Sequence, residues 1–497
     1  MRAWPASVVA LGLLIAAGCT VQEPGVQATR SRQDDTGTLI GSDPTDSTPD
    51  TTPDTTPIPV QEGIINFGSS KTPQTYDGFL TAALSDIENF WKEQFPGLYG
   101  SDFKPLAGGI YAAYPDRTEP IPGCGTPETT YLDVKDNAFY CVDGDFMVYD
   151  DADLLPQLVD QLGQSAVAIV LAHEFGHAVQ FRADEYQQPT ILKEQQADCF
   201  AGAWAAHVSR SESDVIKFTD KDISGGLIAM IQVRDPVQFS GQIDESSHGT
   251  GFDRVGAFQD GFLGGPERCK TFFTENREDQ LINIPFVDDP NGGNLPLIDS
   301  NPDPAEGPAD VVTLLPEDLT RYWTAQLAAS NLTLTAPTLK LFSSNDDQPS
   351  CDGIDSSQFT NNVVYCAASN TIFVDHQFAE KSIADSLLGD MSIGYLISQG
   401  YSENVQALLG STLTDAKRAL LDDCLSGSWI RDDLPPQPKG RPLYLSAGDL
   451  DEAIVTAIVR GDKSSDTNVN GSAFEKVDAF RSGVLGGMKS CQDRITP

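Results

Sequence analysis

The chain is expected to adopt an α+β fold used twice in tandem, behind an extended amino-terminal segment. Three observations carry this expectation. Four cysteines recur along the body at nearly one spacing, which is the signature of an internal repeat. Strand-like runs around residues 110–149, including 137–142 and 146–149, precede a long apolar run with helical spacing. Residues 20–62 hold six prolines, ten threonines and no aromatic residue, so they cannot bury enough apolar surface to offset their ordering entropy.

The amino terminus begins with Arg2 and an apolar run, Val8 to Ala17, too short to span a bilayer as a mature helix. It ends Ala16-Ala17-Gly18-Cys19. Small residues before a cysteine resemble the bacterial lipoprotein signal, although that signal prefers Leu where Ala16 stands. The resemblance implies a signal peptide over 1–18, lipidation of Cys19, and a chain anchored on the extracytoplasmic face of the cell membrane. An ordinary cleaved signal is the alternative, and both routes lead to a compartment where disulfides persist. Residues 19–62, with T-P-D-T-T-P-D-T-T-P at their centre, then read as a disordered stalk.

The 497 residues carry 72 acidic against 32 basic side chains, a net charge of −40 and a pI near 4.2. Such a chain repels phosphate backbones, which excludes a nucleic-acid partner. It also lacks the basic clusters that hold proteins on anionic lipid. The stalk holds only eight acidic and two basic groups, so most of the charge belongs to the body.

Cys124, Cys141, Cys199 and Cys269 recur as Cys351, Cys366, Cys424 and Cys491, at offsets of 227, 225, 225 and 222. The flanks agree. Asp198-Cys199 with Trp204 matches Asp423-Cys424 with Trp429; Phe252, Ala257, Phe258 and Gly261 match Phe474, Ala479, Phe480 and Gly483; Phe90-Trp91 matches Tyr322-Trp323. Residues 286–309 are rich in Pro, Gly, Asp and Asn and read as a linker. The first copy is placed at 63–285 and the second at 310–497, each long enough for its own core. A shared fold should use one disulfide pattern twice, which favours Cys124–Cys141 with Cys199–Cys269 and Cys351–Cys366 with Cys424–Cys491. Reduced, metal-binding thiols are the alternative, and the lack of a C-x-x-C spacing counts against them.

The first copy contains Leu171-Ala-His173-Glu174-Phe-Gly-His177-Ala-Val-Gln180 at the end of an apolar run, predicted as a helix over about 160–181. Residues i and i+4 share a helix face, so His173 and His177 project together, as two imidazole ligands of one Zn²⁺ require. Glu174, beside the first of them, can reach a water on the metal. A catalytic zinc site needs a third protein ligand. Glu194 and Asp198 are also i and i+4, on a helix predicted at about 190–209. Glu194 can complete the set, and Asp198 can take the spare ring N–H of a ligand histidine. Further helices are expected at about 76–94 and toward the end of each copy. His207 and His376 carry no assigned role, and the acidic turns Asp143-Gly-Asp145 and Asp150-Asp151 read as solvated rather than as Ca²⁺ sites.

The H-E-F-G-H-A-V-Q string, the E-Q-Q-A-D-C-F-A-G string, and Ser247-His248-Gly249 with Arg254 resemble the putative neutral zinc metallopeptidase family of bacteria. That family usually has histidine where Ala178 stands, and Lys193 also departs from its pattern. The Glu-x-x-x-Asp element is similar to that of the gluzincins. The resemblance implies a zincin-like fold and a zinc metalloendopeptidase. His173, His177 and Glu194 would be ligands, Glu174 the general base, Asp198 the partner of a ligand histidine, His248 an oxyanion stabiliser and Arg254 its helper or a structural anchor. It covers the first copy; the second is reached only through the repeat.

There His173, Glu174 and His177 fall on Ser398, Gln399 and Ser402, Glu194 on Ala419, His248 on Asn470 and Arg254 on Lys476. The second copy is therefore expected to be a pseudo-peptidase without a metal site. The leading expectation is a membrane-anchored zinc peptidase acting on peptides or envelope proteins. The alternative is a non-catalytic lipoprotein that uses the duplicated fold for binding or assembly.

Overall fold

A computed structural model describes residues 63–232, 249–275, 277–282, 284, 293–304, 307–343, 348–436, 441–461 and 469–495. The expected signal peptide, Cys19, the stalk and His248 lie outside the described residues. The architecture is mixed α+β and mostly helical.

The first half opens with β1 (Ile65–Asn66), α1 (Asp77–Tyr99) and β2 (Gly109–Ala113), then the short ribbon β3 (Ile121–Pro122) and β4 (Glu128–Thr129) and the turn-like α2 (Tyr131–Val134). β5 (Ala138–Cys141) and β6 (Phe146–Asp150) complete a four-stranded sheet of order β1-β2-β6-β5. β1, β2 and β6 run parallel, and β5 pairs antiparallel to β6 along the edge. Alternate residues of a strand face opposite sides. Here Ala138, Tyr140, Met147 and Tyr149 enter the main core, while Phe139, Cys141, Phe146 and Val148 enter a smaller one. The Cys124–Cys141 disulfide closes that smaller core.

Helices α3 (Leu154–Leu162), α4 (Gln164–Arg182), α5 (Thr190–Ser209), α6 (Asp220–Gln232) and α7 (Gly251–Lys270) follow. The single helix expected over 160–181 is two helices. Gly163, at φ +93°, ends α3 and redirects the chain into α4, a backbone state that glycine adopts without steric cost. The first helix extends five residues past its expected end, and α5 has the expected span.

α5 and α7 pack backbone to backbone. A Cβ at Gly202 would lie 2.0 Å from the Phe258 carbonyl oxygen, and one at Gly261 would lie 1.8 Å from that of Cys199. The Cys199–Cys269 disulfide ties the same two helices.

The second half lays out comparable elements in the same order. After α8 (Val311–Ala328), strands β7 (Thr338–Phe342), β8 (Val363–Cys366) and β9 (Thr371–Asp375) form a sheet of order β7-β9-β8, with the pairing senses of β2-β6-β5. Then come α9 (His376–Ile383), α10 (Gly389–Leu408), α11 (Asp415–Asp432), α12 (Asp449–Arg460), α13 (Ala473–Gly486) and α14 (Met488–Ile495). α11 and α13 repeat the glycine contact: Cβ atoms at Gly427 and Gly483 would lie 2.1 and 2.0 Å from the carbonyls of Phe480 and Cys424. The buried indole of Trp204 donates to Asp86 at 2.7 Å, and that of Trp429 donates to Asp318 at 2.8 Å. Cys351–Cys366 and Cys424–Cys491 are bonded, so the eight cysteines of the two copies pair in the pattern the repeat favours. One continuous apolar core joins both halves, with α6 and α7 against α12 and α13. Among the described residues no helix is long and apolar enough to cross a membrane.

Candidate metal centre

α4 carries His173, Glu174 and His177; α5 carries Glu194 and Asp198. Both helices are buried almost all round because sheet and helices enclose them. They approach closely beside Gly176: a Cβ there would stand 3.0 Å from the Ala197 Cα. This contact lies between the histidines of one helix and the carboxylates of the other, so it sets the distance across which they meet.

His173 Nε2 lies 3.2 Å from one Glu194 oxygen, and His177 Nε2 lies 3.4 Å from the other. Neither ring nitrogen makes a hydrogen bond there. Tetrahedral Zn²⁺ with ligand bonds of about 2.0–2.1 Å spaces its ligand atoms about 3.3 Å apart. Two imidazoles and one carboxylate at this spacing, all fully buried, are a donor set that fits zinc.

The other nitrogen of each ring is held. His173 Nδ1 donates to Asp198 at 2.7 Å, and His177 Nδ1 donates to Gln180 Oε1 at 2.9 Å. Gln180 is itself oriented, since its Nε2 donates to the Lys193 carbonyl at 2.6 Å. Both rings therefore turn Nε2 toward Glu194, which is the tautomer a ligand histidine needs. Burial works against a charged ring at His173, but Asp198 and Glu194 outweigh it and hold its pKa up at about 10. The surroundings thus favour positive charge between these side chains.

Asp198 is shared. Arg254, fully buried in α7, donates from Nε to one Asp198 oxygen at 2.9 Å and from Nη2 to the other at 2.8 Å. Burial would raise the Asp198 pKa, but Arg254 and His173 hold it below the ordinary carboxylate value. Glu174 is anchored differently: its Oε2 accepts the backbone N–H of Tyr140, in edge strand β5, at 3.0 Å.

Five of the residues singled out in the sequence, His173, His177, Glu194, Asp198 and Arg254, are joined at this one place, and Glu174 adjoins His173 along α4. His248 lies outside the described residues. His207 is half-buried on α5 near Glu212, and His376 opens α9 near Glu380; both are remote from the centre in role and partners. The acidic turns are not simply solvated. Asp151 is buried against Lys71 and Tyr76, Asp150 accepts backbone N–H groups of its own turn, and Asp145 pairs with Arg182. Sequence reasoning gives no site role to Gln180, although it ends the motif string, or to Tyr140. Gln180 could have been found from its place one turn after His177; Tyr140 reaches the centre only because β5 passes it.

In the second half Asp423 and Lys476 keep the buried ion pair, at 2.8 Å. Tyr395 and Gln399 donate to the same carboxylate. Ser398 and Ser402 turn their hydroxyls back onto carbonyls of their own helix. No metal-ligand set forms at this place among the described residues.

The sequence profile of the family described as "Putative neutral zinc metallopeptidase" matches residues 36–272, starting within the segment read as the stalk. "Uncharacterized protein Rv2575" of Mycobacterium tuberculosis is 30% identical over 219 residues, covering 39% of this chain and 69% of that protein. "Uncharacterized protein YpfJ" of Escherichia coli K12 is 29% identical over 216 residues, covering 39% of this chain and 70% of that protein. No solved structure matches the chain at a significant level. The ligand spacing, the pinned imidazoles and these relatives agree, and through its first half the chain belongs to the putative neutral zinc metallopeptidase family.

Proposed function

We propose that this protein is a zinc-dependent endopeptidase with a zincin-like catalytic half and a metal-free second half descended from the same fold. The observation that carries this is the buried His173–His177–Glu194 set at zinc-ligand spacing, with Glu174 beside it. Zn²⁺ held by these three residues supplies Lewis acidity to a substrate carbonyl and to water. Asp198 and Gln180 keep the two imidazoles in the binding tautomer. Glu174, fixed by Tyr140 N–H, takes a proton at its carboxylate and returns it to the leaving amine. The resemblance supports His248 as a donor to the developing oxyanion.

Four disulfides and the Ala16-Ala17-Gly18-Cys19 segment support a lipid-anchored protein on the extracytoplasmic face, acting on peptides or envelope proteins. The reading is tested by zinc content and peptide-library cleavage of the wild type beside Glu174→Gln. One zinc per chain in both, with cleavage lost only in the variant, supports it. Cleavage that survives Glu174→Gln rules it out.

A second reading, a binding module that retains zinc as a structural ion, is favoured by the complete burial of His173, Glu174, His177 and Glu194. It requires zinc without cleavage in the wild type.

A further inference from the structure

We propose that Asp451, in the metal-free half, is a positioning residue for the metal centre of the other half. The inference rests on the zinc reading above and adds a role for the second copy.

A helix leaves its first N–H groups without partners inside the helix. At α7 two of these are taken from across the molecule. Asp451, in α12, accepts Phe252 N–H at 2.7 Å and Gly251 N–H at 3.1 Å. A carboxylate on the positive end of a helix makes charge-assisted hydrogen bonds. Thr250 supplies the local cap, accepting Asp253 N–H at 3.1 Å. Arg254 follows within the same first turn, and its backbone N–H donates to the Thr250 carbonyl at 3.0 Å. Its guanidinium holds both oxygens of Asp198, and Asp198 holds His173 Nδ1. Asp451 therefore fixes the turn from which the Arg254–Asp198–His173 chain is hung, and every link of that chain is buried.

The surrounding contact has the form of an internal dimer. Gln259 and Arg481 occupy equivalent positions at the 222 offset and bond to each other at 3.2 Å. Gln259 Nε2 donates to the Phe474 carbonyl at 3.0 Å, while the Arg481 guanidinium lies 5.3 Å from the ring centre of Phe252, the equivalent of Phe474. Residue i touching j while the equivalent of j touches the equivalent of i is the mark of an isologous interface.

The Asp451 contact breaks that symmetry. Thr219 and Asp222 cap α6 as Ser446 and Asp449 cap α12, which puts Asp451 opposite Ser224. Ser224 bonds back to the Asp220 carbonyl of its own helix. The described side-chain caps on α13 come from its own Ser472 and Glu475. The reach across the interface thus runs from the metal-free half to the metal-bearing one.

The test uses the full chain and Zn²⁺ itself. Affinity is measured by chelator competition, and site geometry by the visible absorption of the Co²⁺-loaded protein, for wild type, Asp451→Ala and the milder Asp451→Asn. Asp318→Asn, which disturbs the Trp429 contact between α8 and α11, controls for general destabilisation of the second half. Loss of a group that orients metal ligands costs about 10–100-fold in affinity. Asp451→Ala is expected to weaken zinc binding about tenfold and to shift the Co²⁺ bands, with Asp451→Asn between it and wild type. Asp318→Asn should lower the melting temperature and leave both readouts unchanged. Wild-type affinity and spectrum in both Asp451 variants would overturn the inference while leaving the zinc reading intact. A wild type that binds no zinc would overturn both.

Discussion

Arg254 and Asp198 form a fully buried, two-pronged ion pair between α7 and α5, with contacts of 2.8 and 2.9 Å, and the same carboxylate orients His173. A bidentate guanidinium–carboxylate pair is directional as well as strong. Replacing Arg254 with Leu leaves Asp198 buried without its guanidinium, a loss of about 3–5 kcal/mol for such pairs. Urea unfolding of Arg254→Leu beside wild type checks this. A change below about 1 kcal/mol would mean that Asp198 is neutral in the folded chain.

Zinc stoichiometry should be one per full chain, since the equivalents of the ligands in the second half are Ser398, Ser402 and Ala419. The double variant His173→Ala, His177→Ala should bring it to zero. Metal analysis after dialysis checks both values, and residual tight zinc in the double variant would place a site elsewhere.

Glu174→Gln keeps the shape of the side chain and removes the proton acceptor. General acid–base groups contribute about 10²–10⁴-fold to rate. Peptide cleavage should fall within that range while zinc content stays at one per chain, as read by turnover and metal analysis on the same samples.

The Cys199–Cys269 bridge closes 70 residues of chain. Chain-entropy reasoning gives about 4 kcal/mol for a loop of this length. The double Cys→Ser variant should lose stability of that order while keeping the fold of the second half, whose disulfides are separate. Denaturant unfolding together with mass mapping of the remaining disulfides tests this.

Asp390 offers a pH test. It is buried against Asp449 and Glu452, and burial raises its pKa from 3.8 to about 6; Asp449 is raised further, by burial and then by the charge of Asp390. A folded pKa above the unfolded one means that the folded state binds the proton more tightly. The stability it contributes is complete below about pH 3.8 and is lost as pH rises through about 6. The equivalent position in the first half is Ser165, whose hydroxyl donates to Asp222 at 2.8 Å. Asp390→Ser should therefore raise the melting temperature near neutral pH and flatten its fall between about pH 4 and pH 7. An unchanged pH slope in the variant would count against a raised Asp390.

Much of the centre is legible in the sequence. Helical periodicity put His173 and His177 on one face, and Glu194 with Asp198 on another helix. Their chemistry named a metal, and the repeat supplied both the disulfide pattern and the loss of the ligands. The fold was legible more coarsely. The break at Gly163 is not decided by local composition, because a lone glycine is tolerated inside a helical pattern as well as at its end. Asp150 and Asp151 were read as solvated because local composition does not show that Lys71, Tyr76 and their own turn close over them.

Spacing along one chain settles which residues share a helix face, because helix geometry is local. It does not settle which faces meet. The register of α4 against α5 at Gly176 and the grip of Tyr140 on Glu174 depend on packing between elements. The contact of Asp451 with α7 joins residues 200 positions apart. Periodicity carries no record of such pairings. They are chosen by close approach of backbones, burial of charge and the need of each helix end for partners, and those forces act only once the chain has folded.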